Sequence, residues 1–197
     1  MRMEIRPLGL EGVLEIRPAR IGDERGFLSE TWNAETFREY GLNLAFVQDN
    51  HSYSAARGVL RGLHYQLPPH AQDKLVRVVR GSIFDVAVDI REGSPSFGRW
   101  VALEVSAPKW NQMLVPKGFA HGFLTLEPNT EVVYKVTDHH SPDHDRAIRF
   151  DDPDLGIAWP IAASDLQLSE KDERAPRLRQ AEVFSFRRES EQPCISW

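Results

Sequence analysis

The sequence predicts a mainly β fold, a sandwich or barrel of short strands. Short runs rich in valine and isoleucine recur through the middle of the chain, natural turn sequences separate them, and helix-like stretches are few and brief. A parallel α/β sheet would instead alternate its strands with helical patterns of roughly 10–15 residues.

The elements follow in order. The first 20 residues alternate well enough for a strand pair, and Asn33 to Tyr40 is the best internal helix candidate, with Asn33 as its cap. Lys74 to Arg80 and Ile83 to Ile90, split by Gly81-Ser82, read as a hairpin. Trp100 to Val105 sets Val101, Leu103 and Val105 on one face and Ala102 and Glu104 on the other. Gln112 to Val115, Gly122 to Leu126 and Glu131 to Val136 continue the series. Pro68-Pro69, Gly93-Ser94-Pro95, Pro116-Lys117-Gly118 and Pro128-Asn129 supply turns. Asp151 through Pro160 reads as a structured loop, and Ser169-Glu-Lys-Asp-Glu-Arg opens like a capping box before a short helix. After about Ala175 the composition turns polar and basic, the mark of a peripheral tail.

At 197 residues the chain suits one domain over 1–197, with a core from about 3 to 185. Hydrophobic residues at 41% and charged residues at 27% argue against disorder. The net charge of -5 arises from 29 acidic and 24 basic residues spread along the chain, so no basic tract predicts nucleic-acid binding. Cys194 is the single cysteine, which excludes an internal disulfide and fits a reducing compartment. The first residues lack an apolar leader, and no apolar run approaches the roughly 18 residues a membrane span requires, so a cytoplasmic protein is expected.

Two histidines frame the chemistry. His64 ends Arg61-Gly-Leu-His, and His121 follows Pro116-Lys-Gly-Phe-Ala in a second β-like run. Pro116, Gly118 and His121 match the Pro-x-Gly-x-x-His motif of cupin barrels. A metal-binding cupin also needs a His-x-His and a carboxylate, because a divalent ion needs at least three converging ligands. Here the earlier stretch reads His64-Tyr65-Gln66, without the second histidine, so a metal-free barrel is predicted. An unligated imidazole can act as a general base. Arg61 and Lys74 border strands whose inward face should be apolar, and buried cations call for a carboxylate or an anionic ligand. By position alone Tyr134 is a core aromatic, and Asp172 is a first-turn acid favoured by the helix dipole.

The ordered set of segments resembles the dTDP-4-dehydrorhamnose 3,5-epimerase family. It comprises Asp23-Glu-Arg-Gly-Phe27 with Glu30, Gln48-Asp-Asn-His-Ser52, Leu60-Arg-Gly-Leu-His-Tyr-Gln66 and Gln72-Asp-Lys-Leu-Val76. Asp85-Val-Ala-Val-Asp89, Pro116 to Phe123, Tyr134, Asp151-Asp-Pro153, Trp159-Pro160 and Ser169-Glu-Lys-Asp172 complete it. The likeness runs from roughly residue 3 to residue 185, and so many motifs in order are far more specific than any one.

The resemblance implies an all-β, cupin-type double-stranded β-helix, a jelly-roll barrel with short peripheral helices. It implies an isomerase that inverts C3 and C5 of a dTDP-linked 4-keto-6-deoxy sugar without cofactor or metal, toward L-rhamnose and surface polysaccharide. It assigns His64 as base, Tyr134 as the acid that reprotonates, Asp172 as the carboxylate paired with His64, and Lys74 as the cation near the sugar oxyanion. His121 lines the pocket, and Arg25 and Arg61 meet the diphosphate. Glu30, Gln48, Asp49 and Asn50 match nucleotide-binding positions; Asp145 and Lys171 match others, or are solvated surface charges. At His139-His140 the family commonly carries an aromatic residue, often tyrosine, that stacks on thymine. The family forms homodimers whose N-terminal strands cross over, so Arg25 and Phe27 would complete the neighbour's site. The rival readings are a single-centre epimerase, a non-catalytic sugar-nucleotide-binding cupin and a metal-dependent cupin oxygenase.

Overall fold

The computed structural model describes residues 3–185. In chain order its strands are β1 (Glu4–Pro7), β2 (Leu14–Arg17), β3 (Ile21–Asp23), β4 (Gly26–Leu28), β5 (Gln48–Ser54), β6 (Leu60–Gln66), β7 (Lys74–Arg80), β8 (Ser82–Asp89), β9 (Arg91–Glu92), β10 (Trp100–Ser106), β11 (Gln112–Val115), β12 (Phe119–Thr125), β13 (Thr130–Val136), β14 (Asp145–Ala147) and β15 (Phe184–Ser185). Two short α-helices join them, α1 (Ala34–Glu39) and α2 (Glu170–Glu173).

Antiparallel pairing gathers the strands into a six-stranded sheet, ordered β1-β2-β11-β7-β13-β5, and a five-stranded sheet, ordered β10-β8-β12-β6-β14. The two sheets face each other as a cupin-type jelly roll. Val76 and Val78 of β7, Met113 and Val115 of β11, and Val132 of β13 interdigitate with Ile83 and Ala87 of β8, Val105 of β10, and Phe119 and Phe123 of β12. The five-stranded sheet is buried on its outer face too, where Leu63, Tyr65, Val86, Val88 and Ala120 pack under Ile148, Leu155 and Leu178 from the later chain. This double burial explains why Ile83 to Ile90 is nearly continuously apolar instead of alternating.

The short helices follow their caps. Asn33 Oδ1 accepts the Glu35 and Thr36 amides at 2.9 and 3.2 Å, and Phe37 anchors α1 beneath the six-stranded sheet. Ser169 Oγ accepts the Asp172 amide at 3.2 Å, which starts α2. The expected strand pair in the first 20 residues is β1–β2.

One expectation fails. Lys74–Arg80 and Ser82–Asp89 are strands, but they form no hairpin: β7 pairs with β11 and β13, and β8 with β10 and β12. Gly81, at φ 78°, carries the chain from one sheet to the other, so Val76 and Val78 meet Ile83 and Ala87 across the core. A tight glycine turn serves either connection, and periodicity does not name a strand's partner. Most of the expected peripheral tail, residues 186–197, lies outside the described residues. Among the described residues no helix is long and apolar enough to cross a membrane.

Candidate active site

The site begins with a break in strand register. His64 of β6 stands opposite His121 of β12, but Arg61 stands opposite Phe123, one residue out of step. The slip falls at Gly62, whose φ of 134° favours glycine. A Cβ there would collide with Gly122 Cα, and one on Gly122 would come within 3.0 Å of the Arg61 carbonyl oxygen. In an unbroken strand Arg61 and His64, an odd number of residues apart, would face opposite ways. Here both open on one cavity of about 490 Å³, with Lys74, His121, Tyr134 and Asp172.

His64 Nε2 lies 2.5 Å from Asp172 Oδ1. The Asp172 side chain is buried, 3% exposed, so it is no solvated first-turn acid. Burial pushes its carboxyl up, but the bond from His64, the charge on that ring, Ser169 and the Gly62 amide together hold it below the usual range. A carboxylate on Nε2 makes that nitrogen the N–H donor and leaves Nδ1 with the lone pair. His121 repeats the arrangement, with Nε2 2.6 Å from Asp85 Oδ1.

Lys74 and Tyr134 reach the cavity from the opposite sheet. Lys74 Nζ donates to the His64 carbonyl at 3.2 Å. Burial lowers its pKa to about 8; Asp145 and Asp85 oppose that fall, and Lys171 adds to it. Burial also raises the Tyr134 hydroxyl above its usual range, with Arg61 lowering it and Asp145 raising it, so the phenol stays protonated at neutral pH.

A second cavity of about 280 Å³ adjoins the first and shares His64, Lys74 and Tyr134 with it. Gln48, Asn50, His140, Asp145 and Lys171 extend its walls. Gln48 Oε1 accepts the His140 amide at 3.0 Å, and Gln48 Nε2 donates to Asn50 Oδ1 at 2.8 Å. Gln66, standing where a metal-binding cupin has its second histidine, clamps the 139–141 segment: its Nε2 donates to the His139 carbonyl at 3.1 Å, and its Oε1 accepts the Ser141 amide at 2.8 Å. Lys171 Nζ is ion-paired with Asp145 Oδ2.

The fold thus brings together His64, Tyr134, Asp172, Lys74, Arg61, His121, Gln48, Asn50, Asp145 and Lys171. Four expected residues lie elsewhere. The pleat of β5 turns Asp49 away from Gln48 and Asn50, and it pairs with Lys135 at 2.5 Å on the other face of the strand. Glu30 binds Asn33 Nδ2 at 3.0 Å beside α1. Arg25 and Phe27 sit on the exposed β3–β4 hairpin, Arg25 against Asp23 at 2.5 Å and Phe27 edge-on to Trp110. Neither lines its own chain's cavities. Asp85, which holds His121 from behind, was not singled out in the sequence, although a carboxylate inside an apolar strand calls for a partner.

Among the described residues, no three His, Cys, Asp or Glu side chains gather so as to hold a metal ion. The two neighbouring histidines each turn to a separate carboxylate.

Comparison with known proteins gives a consistent answer. A family model described as dTDP-4-dehydrorhamnose 3,5-epimerase matches residues 7–180. A protein of that name from Sinorhizobium fredii is 49% identical over 176 residues, covering 89% of this chain and 90% of its own length. One from Pseudomonas aeruginosa is 49% identical over 183 residues, covering 92% and 99%. The crystal structure of a Legionella pneumophila dTDP-6-deoxy-D-glucose-3,5-epimerase in complex with dTDP-4-keto-L-rhamnose superposes with a TM-score of 0.90 at 42% identity, over 95% of this chain and 100% of that one.

Proposed function

The chain belongs to the dTDP-4-dehydrorhamnose 3,5-epimerase family, and we propose that it converts dTDP-4-dehydro-6-deoxy-D-glucose to dTDP-4-dehydro-L-rhamnose in the joined cavities around His64. One observation carries the mechanism: the candidate base and the candidate acid come from opposite sheets of the jelly roll, His64 from the five-stranded and Tyr134 from the six-stranded, across one cavity. Inverting a carbon requires removing a proton from one face and returning one to the other.

The C4 ketone acidifies the hydrogens on C3 and C5. His64 Nδ1 takes the proton, and the electron pair of the broken C–H bond forms the enolate, whose negative oxygen the Lys74 ammonium meets in a shielded pocket. Tyr134 then gives its hydroxyl proton to the opposite face of the carbon. His64 releases its proton to solvent, Tyr134 regains one, and the cycle repeats at the second carbon. Asp172 holds the His64 tautomer and favours the imidazolium formed in the first step. No cofactor is required, since both steps are proton transfers. Arg61, on the cavity rim, is assigned to the diphosphate, for which its planar fork is suited. Gln48, Asn50 and His140, with Asp145 and Lys171 beside them, are assigned to the nucleotide half.

The proposal extends to the assembly. Exposed Ile21, Phe27 and Leu28 make the β3–β4 hairpin an apolar arm, and contiguous exposed apolar surface marks an interaction site. A homodimer in which this arm brings Arg25 and Phe27 to the partner's nucleotide pocket accounts for both residues. The whole chain is read as one catalytic domain, and a single cysteine fits a cytoplasmic setting.

Incubation with the dTDP-4-keto-6-deoxy sugar in heavy water tests the reaction, because the proton returned by Tyr134 comes from solvent. Deuterium at both C3 and C5 is expected. Deuterium at one carbon would reduce the activity to single-centre epimerisation, and dTDP binding without exchange at either would reject catalysis.

A further inference from the structure

Behind His121, outside the lining of the reaction cavity, lies a buried carboxylate that the chemistry above leaves without a task. Asp85 on β8 is fully shielded from solvent, and its Oδ1 meets His121 Nε2 at 2.6 Å. Its Oδ2 is buried with no hydrogen-bond partner among the described residues. Asp85 shares the inward parity of Ile83 and Ala87, positions that belong to the apolar core. A charged group there is costly unless opposite charge meets it.

We propose that Asp85 is a positioning residue for the epimerisation, orienting His121 toward the bound sugar and supplying the counter-charge that keeps Lys74 an ammonium beside the enolate oxygen. This rests on the reading of Lys74 and the reaction given above. The bond to Asp85 makes His121 Nε2 the donor, which leaves the Nδ1 lone pair to accept from a sugar hydroxyl. The charges around Lys74 are distributed over several elements: His64 and Arg61 on β6, Tyr134 on β13, Asp145 on β14, His121 on β12, and Lys171 and Asp172 on α2. Of the carboxylates among them, Asp172 is bound to His64 and Asp145 to Lys171. Asp85, behind His121, alone of the three keeps a buried oxygen without a hydrogen-bond partner among the described residues. Its attraction on Lys74, with that of Asp145, opposes the effect of burial.

Asp85→Asn keeps the size of the side chain and an oxygen for His121 Nε2 but removes the charge. Exchange rates at C3 and C5 would be followed from pH 6 to pH 9 in wild type, D85N and D85E, with folding checked by circular dichroism. In D85N the alkaline limb is expected to move to lower pH, with kcat at pH 8 down about 10- to 100-fold, by analogy with the loss on removing the carboxylate behind a metal-bound histidine. KM should stay within about threefold, and D85E, which keeps the charge, should hold the limb where wild type has it. His121→Asn combined with D85N should lose less than the product of the single losses, since the two act partly as one unit. A D85N enzyme with the wild-type limb overturns the proposal, whether its rate is unchanged or uniformly reduced, because a merely structural role would not move the limb. If D85N does not fold, a D85E limb displaced toward lower pH, despite its retained charge, overturns it as well. Absence of exchange in the wild-type enzyme would instead reject the epimerase reading itself.

Discussion

The pairing of His64 with Asp172 assigns a proton and a direction. With Nε2 committed to the carboxylate at 2.5 Å, only Nδ1 can take a substrate proton, and no other histidine in the cavity is held by Asp172. His64→Ala should therefore abolish exchange at both carbons, a loss of at least about 10²-fold, the lower end of what a general base contributes. Wild-type exchange at either carbon in that variant would refute the assignment. Tyr134→Phe should still exchange the abstracted proton through His64 while losing net inversion, which NMR reads as deuterium in unconverted substrate. Lys74 adds a pH dependence. In the proposed mechanism its ammonium is the active form, and burial brings its pKa to about 8, so the rate should fall as pH rises through that value, far below the ordinary lysine range near 10.4. An alkaline limb that stays flat to pH 10 would show that Lys74 is not charged in catalysis. Much at this scale was legible in the chain. The buried-cation argument applied to Lys74 already asked for a carboxylate, yet it could not say that Asp145 and Asp85, on the facing sheet, carry the charges that act on it. Asp172 looked like any first-turn acid because nothing local reports that α2 lies across the mouth of a barrel.

Elements decide which of these side chains meet. Arg61 and His64 share a cavity only because β6 slips one residue against β12 at Gly62. Gly62→Ala would add a methyl that collides with Gly122 Cα at a φ of 134°, at a cost of roughly 1–3 kcal/mol from backbone strain alone. Urea unfolding should register that loss, and exchange should fall with it as Arg61 and His64 part. A variant of unchanged stability and rate would show that the slip does not depend on glycine. Strand parity explains where Asp49 lies. Three consecutive residues cannot all face one pocket from a regular strand, so Gln48 and Asn50 line it while Asp49 pairs with Lys135 outside. The failed hairpin has a similar root, since valine-rich runs declare strands while the choice of neighbour is made by packing across the core. The cap at Asn33 was legible because its hydrogen bonds close within three residues.

At the scale of the whole molecule, the sandwich puts Tyr134 and His64 on opposite walls, and the same architecture leaves an arm exposed. Ile21 to Leu28 is exposed at every position, and Arg25 reaches none of its own chain's cavities. If the arm completes the partner's pocket, Arg25→Ala damages the neighbour's site and His64→Ala damages the chain's own. Each variant alone should be nearly inactive, yet a mixture allowed to exchange subunits should recover activity. In a heterodimer, the chain with intact His64 receives intact Arg25 from its partner. Random pairing in a closed two-fold dimer makes half of the dimers mixed with one good site each, so about a quarter of wild-type activity should return. Should Arg25 serve its own chain instead, neither site of the mixed dimer would hold both residues and nothing would return. A sedimentation measurement on the wild-type protein sets the precondition: a monomer at assay concentration would remove the arm from the mechanism and leave the diphosphate to Arg61.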